Sequence, residues 1–580
     1  MEVQAITIDR VFMKSRILQI PFFQRGYVWE DSNWQKFFDD IADIAMELQE
    51  TGEAKDYFIG SIILKKQNAR GPQKADVIDG QQRLTTIVMF YKALCLARDR
   101  NYLFKDLFFQ RDDMDIENEP ILIPNYNDKS VYNKIINLEF LQREPIAPNS
   151  KLADAFSYFA NRIIEAHNDA ETPLSLDKLN EAFMYYIRVV QIEVSENEDV
   201  QKIFETINCT GIKLTTGELL KNYLFEESSA DNYERMWKPV FENNSQSFWE
   251  GNFVSGRLIG SHIENFFYRY MLIKIFQPEI KEKLSAIELK QYRQKDGLYE
   301  KFCNLMTKFN ISKEDAVRDI VEYANLYMNT FKVNTSEDVA VAYPGIERLV
   351  YLMFLHDAWT MTPYILYILH TVDSENERNK IFHYMEIYLM RRIICKCRNN
   401  NYSDMFSENL IKSKVCTCED FKNYVNDVDA RGNLMMPSDE EVINAVCYND
   451  LRKEVNLIYY MLESRMNHGF ANSSLDNCSD AFFKEQIMPE KSSKNWTFDK
   501  KYSEEEHAVL TKTLGNYVML REKPKGKSKN AAWTDKRLLI KDWTKELNTC
   551  QIFRNEVWTE KEIELRNSGL AKMIINCWPI

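Results

Sequence analysis

No uninterrupted apolar run in this chain is long enough to span a membrane, and residues 1–19 carry several charges without the apolar stretch of a secretory signal. Those absences favour a cytoplasmic location, which is the expectation. No internal repeat and no low-complexity linker interrupts the 580 residues. Histidine is scarce, at seven, and His262, His356, His370 and His383 are uninformative singly. A disulfide framework is missing as well: eleven cysteines, an odd number scattered through a large chain, read as mostly reduced thiols. Cys395-x-Cys397 and Cys416-x-Cys418 have a one-residue spacing that differs from the usual zinc pairs, and no His lies close in sequence. Positive charge is also short. The net charge of −13 argues against a coat for nonspecific nucleic-acid binding and leaves room only for a local basic patch.

What is present is core-forming material, 45% hydrophobic and 13% aromatic, in a length that suits roughly three or four domains. The most informative stretch is Val77-Ile78-Asp79-Gly80-Gln81-Gln82-Arg83-Leu84-Thr85-Thr86. β-favouring residues run into Asp-Gly, after which Leu84, Ile87, Val88, Tyr91 and Leu94 recur at helical spacing, predicting strand, tight turn and helix. Such a junction offers free backbone N–H groups and a helix dipole to a phosphate. Arg83 adds a bidentate phosphate contact, Asp79 a ligand for metal or sugar hydroxyl, and Gln81 and Gln82 amide donors and acceptors. Standing alone, an Asp-Gly of this kind is a capped turn with a surface arginine.

Its companions change that reading. Upstream, Ile20-Pro21-Phe22-Phe23-Gln24-Arg25-Gly26-Tyr27-Val28-Trp29 embeds Gln24 and Arg25 among aromatics, a pattern for a pocket holding a base or ring while Arg25 meets an anion. Pro21 restricts Ile20 to extended geometry, so a short strand enters a loop. A helix is expected over Phe37–Leu48, a strand with a close-approach glycine over Tyr57–Leu64, and a polar loop over Lys65–Ala75. Downstream, Ile203-Phe204-Glu205-Thr206-Ile207-Asn208-Cys209-Thr210-Gly211-Ile212-Lys213-Leu214-Thr215 leads to a helix from about Gly217 that carries Lys221, with Thr215 or Thr216 as its cap. Helical spacing recurs over Leu152–His167 and Leu176–Tyr186, and then over Glu264–Ile275, Leu349–Leu355, Tyr364–His370 and Phe382–Cys395. Arg391-Arg392 reads as a solvated helix face or a phosphate-lining pair, and Phe470–Asp480 as a linker.

In this order the three N-terminal motifs resemble the GmrSD-type restriction endonucleases, whose N-terminal domain belongs to the ParB/sulfiredoxin-like nucleotide-binding group. The Phe204–Thr215 segment and its following Leu220-Lys221-Asn222 resemble the same family. The resemblance implies nucleoside-triphosphate binding and hydrolysis, with Mg2+ or another divalent ion, in defence against phage or modified DNA. By motif position the nucleotide-binding residues are Gln24, Arg25, Asp79, Gly80, Gln81, Gln82, Arg83, Asn208 and Lys221, with Asp79 and Arg83 also catalytic. The C-terminal hundred residues are similar to the family's HNH-type nuclease domain. Lys484-Glu485-Gln486-Ile487-Met488-Pro489 resembles its Glu-His-Ile-Met-Pro opening, Leu514-Gly515-Asn516 its Gly-Asn strand entry, and Asn530 with Lys536-Arg537 its last Asn and trailing basic pair. Catalytic roles would fall on positions 486, 516 and 530, and a metal on Asn530.

Gln486 departs from the family pattern. A histidine there activates the attacking water, whereas a glutamine amide orients water and cannot take its proton. His507 is the one candidate substitute base, but it lies nine residues before Asn516 in an expected helix leading to that strand, so the favoured reading is a domain that has lost most or all cleavage. Between Arg521 and Asp542 eight Lys/Arg stand against three Asp/Glu, a local net of +5, so Lys525, Lys527, Lys529, Lys536 and Arg537 are nucleic-acid candidates. The expected fold class is α+β and multidomain: a ParB-like nucleotide-binding domain with helical decoration over 1–230, a helical domain over 231–475, and a degenerate HNH-like (ββα-metal-like) domain over 476–580. Three functions stay open: a triphosphate-controlled antiphage protein with an impaired nuclease, an active NTP- and metal-dependent DNA endonuclease, and a noncatalytic sensor that needs a second defence protein or a homo-oligomer.

Overall fold

The computed structural model describes residues 2–67, 73–110, 119–194, 215–226, 228–255, 258–332, 345–427, 434–466, 483–520, 531–544 and 548–580. The chain is α+β and forms two compact units, Met1–Glu234 and Arg235–Ile580.

The first unit is built on a six-stranded mixed sheet in the order β1-β6-β3-β4-β2-β5, from β1 (Glu2–Thr7), β2 (Arg16–Gln19), β3 (Tyr57–Gln67), β4 (Gln73–Asp79), β5 (Leu122–Ile123) and β6 (Ile187–Val194). β3 runs antiparallel to β4 and parallel to β6, while β2 is parallel to both β4 and β5. Helix α1 (Asp31–Thr51) buries Trp34, Phe37, Phe38, Ile41, Ala45 and Leu48 at helical spacing, and Gly52, at φ 78°, stops it. Helix α2 (Gln81–Ala97) is buried around almost its whole circumference between α3 (Lys151–His167) and the rest of the core. Its Lys92 is wholly buried because the ammonium donates to Asn101 Oδ1 at 2.8 Å, Ile136 O at 2.8 Å and Leu138 O at 2.7 Å. Within the region expected as a polar loop over Lys65–Ala75, the described residues 65–67 and 73–75 are strand. Lys65, Lys66 and Gln67 pair with Asp76, Ala75 and Lys74, and their charges are met by Glu226 and Glu193. The helix expected over Leu176–Tyr186 ends at Glu181 in a π-turn that leads directly into β6.

The second unit is helical, with two two-stranded sheets: β7 (Asn252–Ser255) with β8 (Leu258–Ser261), and β9 (Phe483–Gln486) with β10 (Tyr517–Leu520). The expected helices occur as α5 (His262–Phe276), α6 (Ile346–Leu355), α7 (Thr362–Thr371) and α8 (Glu375–Ile394), after α4 (Thr216–Phe225) of the first unit. They are followed by α9 (Val455–Met466), α10 (Glu504–Leu510), α11 (Trp533–Thr544) and α12 (Glu560–Cys577). Arg391 and Arg392 are not a solvated or phosphate-lining face but buried anchors of α8. Arg391 donates to Pro437 O and Trp578 O and pairs with Asp439 at 2.6 Å, while Arg392 donates to the Tyr402 hydroxyl and to Met435 O and Arg398 O. Guanidiniums tolerate this burial because carbonyls folding back over the helix satisfy their fork of N–H groups. Among the described residues no helix is long and apolar enough to cross a membrane.

His262 opens α5, stacked on Phe248 with centroids 4.5 Å apart and Nδ1 3.2 Å from the Tyr327 hydroxyl. Burial, reinforced by Arg269, lowers its pKa from 6.5 to about 4. The unfolded chain therefore binds a proton that the folded chain refuses between those values, and stability falls as pH drops through that window. Urea denaturation at pH 7 and pH 4.5 is expected to show a smaller loss for His262→Phe than for wild type; an equal loss would remove His262 as its source.

Candidate functional site

The first candidate site grows from the β4–α2 junction. Gly80 turns the chain at φ 88°, and a Cβ there would lie 2.7 Å from Ile62 Cγ2, so only glycine fits the turn. Asp79, just before it, is largely buried. Desolvation raises its pKa above the ordinary carboxylate value, against the pull of the Gly80 N–H, Arg83 and Arg25. One turn into α2, Arg83 folds its guanidinium onto the backbone of β3 and donates to Ser61 O. Gly60 makes room: at φ 117° it carries no side chain, and a Cβ would lie 2.8 Å from Arg83 Cζ. Burial lowers the Arg83 pKa, and Asp79 opposes that shift.

The loop after β2 lies across this junction and is pinned by amides. Gln24 Nε2 donates to Val77 O at 2.8 Å, and Gln81 Nε2 to Arg25 O at 3.2 Å. Gln82 accepts from Val28 N at 2.8 Å and donates to Gly26 O at 3.0 Å. Asn125 donates to Arg25 O at 3.0 Å, and Asp128 accepts from Tyr27 N at 2.9 Å. Thus Gln24 and Gln82, expected as nucleotide contacts, act on main-chain groups, and their amides position the loop that presents Arg25. Tyr27 is a core residue too, its hydroxyl 2.6 Å from Thr86 Oγ1 and 2.9 Å from Trp34 Nε1, so it is no platform for a base. Phe22 packs on Phe23 and Tyr233, and Lys221 lies over the Tyr233 ring at 5.9 Å.

The structure therefore gathers Arg25, Asp79, Gly80, Gln81 and Arg83, with buried Lys221 on α4 beside the Phe22 aromatics. Gln81 Oε1 is buried and has no hydrogen-bond partner among the described residues. Asn208 lies outside the described residues. Glu218, overlooked in the sequence, joins the group: its Oε1 is 3.7 Å from Arg25 Nη1, and its Oε2 closes a capping box with Thr215. The capping pattern was the one trace of it in the sequence.

In the second candidate site Gln486 ends β9 opposite Tyr517 and donates its amide to Thr511 O at 3.1 Å. Asn516 is fully buried. It grips Met488 through both backbone groups, at 2.9 Å and 2.8 Å, and donates to Thr511 O at 2.9 Å. Lys536, expected to face nucleic acid, is turned inward from α11. Its ammonium donates to Gln486 O at 2.7 Å and Ile487 O at 2.9 Å and pairs with Glu485 at 3.3 Å; burial lowers its pKa. Arg537, half-buried, reaches Asn555 O at 3.4 Å. His507 Nδ1 lies 2.8 Å from Glu560 Oε1, the ring stacks on Phe498, and Nε2 is buried with no hydrogen-bond partner among the described residues. Lys525, Lys527, Lys529 and Asn530 lie outside the described residues. Among those described, no group of three or more His, Cys, Asp or Glu could hold a metal ion.

Residues 8–225 match the family model of the GmrSD restriction endonuclease N-terminal domain, and residues 436–573 match that of the GmrSD C-terminal domain. The chain belongs to the GmrSD restriction endonuclease family. The GmrSD N-terminal match takes in Arg25, Asp79, Arg83, Glu218 and Lys221; the C-terminal match takes in Gln486, His507, Asn516 and Lys536. A search of curated proteins returns no match.

Proposed function

We propose that this GmrSD-family chain is an antiphage restriction protein in which nucleoside-triphosphate binding and hydrolysis within residues 1–230 control how residues 476–580 engage DNA. The observation that carries the reading is the convergence of Arg25, Arg83 and Asp79 on one strand–turn–helix junction. Two guanidiniums beside free helix N–H groups form a phosphate cradle. Burial raises Asp79, which makes its carboxylate a stronger proton acceptor for an attacking water. Asp79 and the unpaired Gln81 Oε1 are hard oxygen donors that fit a divalent ion such as Mg2+, which when bound would neutralise phosphate charge. The pinned loop keeps Arg25 in place before any ligand arrives, so little ordering is left for binding to accomplish.

In the C-terminal domain the Gln486 amide is committed to Thr511 O, which supports an impaired nuclease. DNA contact would fall to the basic stretch 521–542, without Lys536. A working endonuclease is the second reading, favoured by the His507–Glu560 pair, whose buried Nε2 resembles a carboxylate-oriented base. One experiment separates them: phosphate release from each triphosphate with Mg2+, and plasmid nicking, for wild type, Asp79→Asn and Gln486→His. Asp79→Asn is expected to lose about two decades of phosphate release, and only Gln486→His to nick. Nicking by wild type that equals that of Gln486→His would make the chain a working endonuclease, and release unaffected by Asp79→Asn would remove Asp79 from the chemistry.

A further inference from the structure

One carboxylate in the first unit does two jobs at once. Glu218 Oε1 faces Arg25 Nη1 at 3.7 Å, with side chains only 22% and 18% exposed, so solvent screens this pair less than a surface salt bridge. Its Oε2 accepts from Thr215 N at 2.7 Å and from Thr215 Oγ1 at 3.1 Å, while Thr215 Oγ1 accepts from Glu218 N at 3.3 Å. The same group thus supplies negative charge to a phosphate-binding arginine and closes the first turn of α4. A phosphate arriving on Arg25 places like charge against Glu218 in a mostly buried setting, which costs far more than it would in water. The carboxylate must then give way.

The movement would reach the rest of α4. α4 carries Lys221, whose ammonium lies over Tyr233, and Tyr233 also packs on Phe225 at 5.5 Å and on Phe22 at 5.7 Å. Phe22 is three residues from Arg25 in the pinned loop, and Tyr233 is one residue from the end of the first unit at Glu234. The helix that Glu218 caps therefore joins the phosphate side of the site to the last residues of the unit. Resting on the nucleotide reading above, we propose that Glu218 is an internal competitor for the phosphate-binding Arg25: a triphosphate displaces it, and the loss of its cap loosens the first turn of α4, passing the nucleotide state toward the unit boundary. Glu218 is a positioning residue that sets affinity and transmits occupancy, and it takes no part in bond breaking.

The test separates its two roles. Glu218→Gln removes the charge yet keeps the cap, because an amide oxygen at this helix position also accepts from the N-cap backbone; Glu218→Ala removes both. The probe is inorganic tripolyphosphate, with and without Mg2+, titrated by calorimetry into the full chain, with amide hydrogen exchange followed over residues 216–219. Glu218→Gln is expected to bind at least about tenfold more tightly than wild type. Tripolyphosphate is expected to speed exchange over 216–219 in wild type, to leave Glu218→Gln unchanged, and to leave Glu218→Ala fast throughout. Binding by Glu218→Gln alone, with wild type silent, would be the strongest form of support. Equal or weaker binding by Glu218→Gln, in a background where wild type binds, overturns the competitor and leaves the nucleotide site standing. If neither protein binds, the nucleotide reading fails and the competitor falls with it.

Discussion

An Arg348→Met chain is expected to lose about 3–5 kcal/mol of stability in the helical unit, measured by urea denaturation at pH 7. Arg348 is 2% exposed and Glu386 is fully buried, so the pair is not a surface salt bridge of small worth. The guanidinium meets Glu386 in a fork, with Nε 3.0 Å and Nη2 2.8 Å from Oε1, and it also donates to Ser464 Oγ and Met461 O. Trp578 Nε1 adds a bond to Glu386 Oε1 at 3.0 Å. Burial alone would raise the Glu386 pKa, but His383, Arg348 and Trp578 together hold it down at about 2, below its ordinary 4.5. In wild type this contribution is present above pH 4.5 and is lost as pH falls toward about 2. Without Arg348 the carboxylate loses its principal counter-charge in the core, so the deficit should widen as pH rises. Arg348→Met combined with Glu386→Leu should recover much of the loss, because two apolar groups of matching shape leave no charge behind. A loss below about 1 kcal/mol in the single variant would show that the pair is dispensable.

On the nucleotide reading proposed above, Arg83→Ala is expected to cut triphosphate hydrolysis by about two to three decades, the usual cost of removing a preorganised group aimed at developing charge. Gly60→Ala should reach a similar loss by another route. At φ 117° an alanine is strained, by about 1–3 kcal/mol, and its Cβ would meet the guanidinium 2.8 Å from Cζ, pushing Arg83 off Ser61 O. Because both changes act through one guanidinium, the double variant should be little worse than either alone. Phosphate release, measured beside thermal unfolding, decides the matter. A Gly60→Ala protein that hydrolyses at the wild-type rate would show that Arg83 does not need its bed on β3.

The strand–turn–helix setting of Asp79, Gly80 and Arg83 was legible in the sequence because a strand, an Asp-Gly turn and a helix are local events, written within ten consecutive residues. The amphipathic helices were legible for the same reason. The roles of Gln24 and Gln82 were not. A glutamine among aromatics looks the same whether it meets a ligand or a neighbouring main chain, and only the fold brings Val77 O and Gly26 O within its reach. Lys536 and Arg537 are adjacent and equally basic, yet the phase of α11 turns the first onto the end of β9 and leaves the second half-exposed. Arg391 and Arg392 hid in the same way, since burial of a guanidinium depends on carbonyls that arrive from distant segments. Glu218 showed only its local half, the cap; its pairing with Arg25 spans the whole unit. β1 and β6 were missed because each completes its pairing through residues far away in the chain.

That distance gives the first unit a folding order. β6 lies between β1 and β3, with Glu193 opposite Glu2 on one side and Ile187 opposite Tyr57 on the other. During synthesis β1 and one edge of β3 must wait, unpaired, until more than a hundred further residues have left the ribosome. Closing such distant pairs is slow, and open strand edges invite association with other chains in the interval. The strand that completes the sheet of the first unit is thus also its last to arrive, and a nascent chain cannot close that sheet before residue 194 has emerged.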